Sequence, residues 1–118
     1  MMENKRILIV EDDKSILRFF TLILQRKGYK TDTAETGKEA LEKISSQSYD
    51  VALIDVVLPD MIGLDLLKSI PSKTKKIVMT GADSEENKKR AQIEGANAYL
   101  IKPVKFEKLL QTIANEYN

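Results

Sequence analysis

This chain of 118 residues has neither cysteine nor histidine. Without cysteine there is no disulfide, and nothing points to export into an oxidising compartment. The lack of histidine excludes more chemistry, because no Ser-His-Asp triad, Cys-His pair or nitrogen- or sulfur-ligated zinc site can be assembled. Any metal must be held by oxygen, which favours magnesium or a similar hard cation. A surplus of charge is also missing: 19 Lys and Arg against 18 Asp and Glu leave a formal charge of +1. Bulk electrostatics therefore offers no reason to expect binding to nucleic acid or an anionic membrane. No apolar run approaches the ~20 residues of a membrane span, and the opening MMENKR lacks the apolar centre of a signal peptide. Neither a repeat, a low-complexity segment nor a linker is visible. A single cytoplasmic domain spanning residues 1–118 is the expectation.

What the chain does contain is an alternation of short apolar runs and helical spacings. Residues 6–10 (RILIV) read as a buried strand that ends at Glu11, Asp12 and Asp13. Residues 14–27 have helical spacing, with Ile16, Phe19, Phe20, Ile23 and Leu24 on one side and Leu22 on the polar side. Gly28 is a natural stop before a second strand at 29–33. A second helix at 36–45 turns Ala40, Leu41 and Ile44 inward. The run 51–54 is β-branched and apolar enough for a strand buried on both faces, and it stops at Asp55. A third helix at 62–70, a strand at 76–80 ending in Thr80, and a polar helix at 84–94 whose apolar content is little more than Ala91 and Ile93 follow. The last strand, 97–101, ends at Lys102-Pro103, and a helix at 104–116 presents Phe106, Leu109, Leu110 and Ile113 on one face. Five strands alternating with five helices predict a doubly wound parallel α/β sheet.

All C-terminal strand ends of such a sheet lie along one edge, where ligands bind. That edge would collect Glu11, Asp12, Asp55, Thr80 and Lys102 from four strand ends. Each has an ordinary structural role available, and Asp13 in particular suits the N-cap of the first helix. Together, three carboxylates that repel one another and resist desolvation call for a cation between them, with Lys102 nearby.

These residues carry a resemblance. ILIVEDD, DVVLPDMIG around Asp55, MTG with Thr80 and YLIKPV with Lys102 and Pro103 occur in order, and over residues 5–118 the chain resembles the receiver domains of two-component response regulators. The resemblance implies a flavodoxin-like sheet ordered 2-1-3-4-5, and a phosphoacceptor rather than a conventional enzyme. Asp55 would take a phosphoryl group from a phosphohistidine on a sensor histidine kinase or histidine phosphotransfer protein. Asp12, Asp55 and the Val57 backbone carbonyl would bind Mg2+ directly, Glu11 would act through a water, and Mn2+ could substitute. Lys102 and the Thr80 hydroxyl would pair with phosphoryl oxygens. Tyr99 would turn from exposed to buried as Thr80 moves, and the Lys102-Pro103 bond would be cis. The output would be control of a downstream protein or effector domain, by a monomer or a phosphorylation-dependent homodimer, with no direct contact to nucleic acid or membrane.

Several positions depart from the family pattern. Val57 and Ala82 occupy sites that tune phosphate lifetime, and they pull in opposite directions. Gly81 stands where alanine is commoner. Asn97, Ala98 and Tyr99 replace the Asp-Asp-Tyr of the winged-helix branch, which argues against that branch's inter-subunit salt bridges. Leu17 and Leu22 fall at or beyond the apolar edge of the first helix, where they would help form a docking surface for a phosphodonor. A receiver cut from a longer transcriptional regulator is the main alternative. An aspartate-nucleophile phosphohydrolase of the haloacid dehalogenase type wants a second Asp where Val57 stands. An FMN carrier is disfavoured by the acidic loop Glu11-Asp12-Asp13.

Overall fold

The computed structural model describes residues 5–81 and 84–115; Ala82 and the residues expected to end the last helix lie outside that range. Five parallel strands form one sheet in the order β2-β1-β3-β4-β5. They are β1 (Arg6–Val10), β2 (Lys30–Ala34), β3 (Val51–Asp55), β4 (Lys75–Thr80) and β5 (Ala98–Ile101). Helices α1 (Lys14–Arg26), α2 (Gly37–Ser46), α3 (Glu85–Ile93) and α4 (Phe106–Ala114) connect or close them, with a 3₁₀ helix at Gly63–Ser69 between β3 and β4. The fold is the expected one. Strand limits shift by about one residue at β2, β4 and β5, and the third helix is 3₁₀ instead of α.

Alternation along the strands builds two cores, because successive side chains leave a strand on opposite faces. Leu8, Val10, Ala52, Ile54 and Val78 pack with Ala40 of α2, Leu64, Leu66 and Leu67 of the 3₁₀ helix, and Ala91 of α3. Ile7, Ile9, Val51, Leu53, Ile77 and Met79 face the other way, toward Leu17, Phe20 and Leu24 of α1 and Leu109 and Ile113 of α4. The central strands feed both cores, which is why 51–54 is continuously apolar.

Helix rotation departs from the expectation in α1. Leu17 is buried, so it belongs to the core and not to a docking edge, whereas Phe19 is 49% exposed. The buried arc centres on Leu17, Phe20 and Leu24, turned by about 60° from the one periodicity suggested. Leu22 is exposed, as expected. Corrections of the same kind apply to Leu41 and Phe106, both exposed instead of buried; Ile93, at the end of the polar helix, is exposed as well. In α4 the contact is carried by Leu109 and Ile113, three and seven residues after Phe106.

Helix α3 is held differently from the others. Ala91 is its buried residue, and Arg90 ties it by an ion pair to Asp65 of the 3₁₀ helix and to Glu94 at 2.6 Å. Among the described residues, no helix is long and apolar enough to cross a membrane.

Candidate functional site

Strand register brings the site together. Val10 lies level with Ile54, Asp55 with Met79, and Thr80 with Ile101. Glu11, Asp55, Thr80 and Lys102 therefore stand at neighbouring strand ends, at the crevice between β1 and β3 where the strand order reverses. Asp13 caps α1, its Oδ1 accepting from the N–H groups of Ser15 at 2.9 Å and Ile16 at 3.1 Å, which leaves Asp12 exposed beside the pocket.

The centre is a shared ammonium. Lys102 Nζ donates to Glu11 Oε1 at 2.7 Å and to Asp55 Oδ2 at 2.9 Å. Glu11 and Asp55 are buried, at 1% and 5% exposure. Glu11 Oε2 also accepts from the Asp13 N–H at 3.1 Å, and Asp55 Oδ1 from the Val57 N–H at 3.3 Å. Burial raises the pKa of Glu11, and the hydrogen bonds from Lys102 and Asp13 bring it only part of the way back. Burial alone would lower the pKa of Lys102, but its bonds to Glu11 and Asp55 prevail and raise it. The lysine stays charged at neutral pH.

Glu11, Asp12 and Asp55 each offer a carboxylate oxygen, and these oxygens lie within 4.8 Å of one another. Three carboxylates against one ammonium leave excess negative charge in a partly buried pocket, and the donors are all hard oxygens. That set fits a divalent hard cation such as magnesium or calcium.

Thr80 is buried, and its carbonyl accepts from the Lys102 N–H at 2.7 Å. The Lys102-Pro103 peptide is cis. Tyr99 is half-buried against the core on the α3 face. Gly63 closes the other side of Asp55: a Cβ there would sit 1.9 Å from the Asp55 carbonyl oxygen, so only glycine permits the approach. Beside the pocket, Ile16, Phe19, Phe20, Lys102, Pro103 and Val104 line an apolar cleft of about 520 Å³. Two contacts near the site were invisible in the sequence: the tie from Asp60 to α2, and that from Arg90 to Asp65. Both join residues more than 20 apart in sequence, and no local pattern marks them.

An open parallel α/β sheet with a carboxylate–lysine pocket at its switch point defines the class of protein. Comparison with known proteins narrows it. The profile of the response regulator receiver domain family matches residues 7–114. Response regulator ArlR of Staphylococcus saprophyticus is 38% identical over 110 residues, covering 92% of this chain and 50% of ArlR. A CheY-like response regulator receiver domain protein from Methanospirillum hungatei has 43% identity and a TM-score of 0.88, over 92% of this chain and 90% of that one. A response regulator from Burkholderia pseudomallei, solved with a phosphorylated aspartic acid, calcium ion and citrate, has 26% identity and a TM-score of 0.88, over 95% and 68%. The chain belongs to the response regulator receiver domain family, a family of signalling domains with an acidic site for a divalent metal. It spans about half the length of the curated relatives it matches.

Proposed function

We propose that Asp55 is a phosphoacceptor, charged by a phosphohistidine on a partner, and that its phosphorylation controls an output partner. The observation that carries this reading is the pocket itself. A buried Asp55 has an ammonium 2.9 Å from one oxygen and two further carboxylates close by. An Asp55 oxygen attacks phosphorus in line, the P–N bond to the donor imidazole breaks with its electron pair going to nitrogen, and an acyl phosphate forms. Lys102 exchanges its carboxylate contacts for a phosphoryl oxygen, and the Thr80 hydroxyl takes another. Asp12, Asp55 and the Val57 carbonyl would hold Mg2+ directly, with Glu11 reaching it through a water; Mn2+ would serve similarly. When bound, the ion supplies charge neutralisation at the phosphoryl oxygens. The Burkholderia relative, with its phosphorylated aspartic acid and calcium ion, supports the same chemistry.

The donor is a sensor histidine kinase or histidine phosphotransfer protein, docking over the cleft beside Lys102. Phe19 and Leu22 offer exposed apolar surface on α1; Leu17 does not. On the output side, Thr80 movement toward the phosphate lets Tyr99 bury further and shifts α3, whose hold on the sheet is slight. The chain acts in the cytoplasm as a receiver. It works either alone or as the receiver part of a longer regulator of about twice this length, as its curated relatives suggest. Val57 offers no second Asp for phosphohydrolase chemistry.

Incubation with acetyl phosphate and Mg2+, followed by intact mass, tests the reading. One phosphoryl group should be gained, depend on the metal, and be absent in Asp55→Asn. A folded, metal-binding chain that gains no mass would refute it.

A further inference from the structure

The loop leaving Asp55, residues 56–62, carries the Val57 carbonyl; Val56 and Leu58 root it in the core, and the Val56 N–H donates to the Met79 carbonyl at 2.9 Å, while its outer turn stands away from the sheet. Val57 and Ile62 are 70% and 50% exposed. They form an antiparallel bridge, and the Leu58 N–H donates to the Met61 carbonyl at 3.2 Å, which closes a narrow turn. The tip of that turn grips another element. Asp60 Oδ1 accepts from the Gly37 N–H at 2.8 Å, and Oδ2 from the Lys38 N–H at 3.0 Å. These are the first two amides of α2, which the helix cannot satisfy by itself. The third, on Glu39, goes to Thr36 Oγ1 at 3.0 Å. A carboxylate at this end also complements the helix dipole.

Met61 makes a second contact at the same place. A Cβ on Gly37 would lie 2.3 Å from the Met61 sulfur, so the thioether occupies the space that glycine leaves open. Asp60 and Met61 therefore hold the loop to the first turn of α2, by polar contacts to Gly37 and Lys38 and an apolar contact to Gly37. At the base of the loop Val56 and Leu58 are anchored in the core, but Val57 between them is exposed and its N–H reaches Asp55 Oδ1 only at 3.3 Å.

We propose that Asp60 is a positioning residue of the phosphoacceptor site, which anchors the loop to the N-terminus of α2 and so sets the Val57 backbone relative to Asp55. The proposal rests on the assignment of Asp55 and the Val57 carbonyl to that site. Released from α2, the outer turn of the loop would have to be ordered anew each time a cation binds, and affinity would fall. A mere helix cap would lower stability without touching the cation.

Magnesium affinity measured by calorimetry separates the two roles. Asp60→Ala should weaken Mg2+ binding about tenfold, in line with the loss of other supporting contacts around metal ligands. Asp60→Asn, which keeps one acceptor oxygen, should fall between. The Mg2+ concentration for half-maximal phosphoryl gain from acetyl phosphate should rise by the same factor. Hydrogen exchange should quicken at residues 56–62. Gly37→Ala, which collides with Met61, should weaken Mg2+ similarly, and adding Met61→Ala should restore it. A lowered melting temperature with unchanged Mg2+ affinity in Asp60→Ala would overturn this proposal alone. A wild-type chain that binds no Mg2+ would overturn the underlying assignment and the proposal with it.

Discussion

Glu11 and Asp55 are buried and share the ammonium of Lys102, and the sign of each titration follows from that arrangement. Lys102 has a raised pKa in the fold, burial being outweighed by the two carboxylates. Its contribution to stability is complete below the ordinary lysine range and is lost as pH rises through the folded value, above about pH 10. Tyr29 and Tyr49, whose phenols burial also raises, add losses in the same range. Comparison with Lys102→Met isolates the lysine. The urea midpoint should fall more steeply above about pH 10 in the wild type than in the variant; parallel slopes would mean the ammonium has no net coupling. Glu11 behaves likewise at the acid end. Its pKa is raised chiefly by burial, so its ionisation toward neutral pH costs folding energy, which a bound cation offsets. Asp12, Asp55, Thr80 and Lys102 were legible as a group because each follows an apolar run, and parallel strands bring such ends to one edge. Asp60 was not, since its partners lie 22 and 23 residues away.

Helices α1 and α3 differ in how much apolar surface holds them. In α1, Leu17, Phe20 and Leu24 are buried against the sheet, and the exposed Phe19 and Leu22 are left for other contacts. Leu17→Ala should cost about 2–5 kcal/mol by chemical denaturation, the usual range for a buried leucine. Leu22→Ala should stay within about 0.5 kcal/mol. Equal effects would mean that α1 sits in the rotation its periodicity alone suggests. That rotation was not legible because seven apolar residues spread around α1 define a broad arc. The sheet chooses which part of the arc it covers. In α3 the polar run 85–90 did announce a lightly held helix, but not the Arg90–Asp65 pair that ties it to the 3₁₀ helix.

Ligand binding links the pocket to the stability of the domain as a whole. A cation that binds the folded chain and not the unfolded one stabilises it by about 2.7 kcal/mol at a hundredfold excess over Kd. For a domain of this size, each kcal/mol raises the melting temperature by roughly 4 °C. Mg2+ should therefore raise Tm measurably in a thermal scan, and Asp12→Asn should remove most of the rise. An equal rise in Asp12→Asn would place the cation elsewhere. At this level much was legible from composition and periodicity. The number and order of elements, the two-faced burial of the central strands, the oxygen-only metal chemistry of a chain without histidine or cysteine, and Asp55 at a strand end all depend on neighbours within one segment. The three-dimensional arrangement alone established that Lys102 divides itself between Glu11, 91 residues away, and Asp55, 47 away. It also established how α1 is turned, and that Asp60 holds α2. Those contacts depend on how separate elements are placed against one another, and a pattern confined to one element carries no information about that placement.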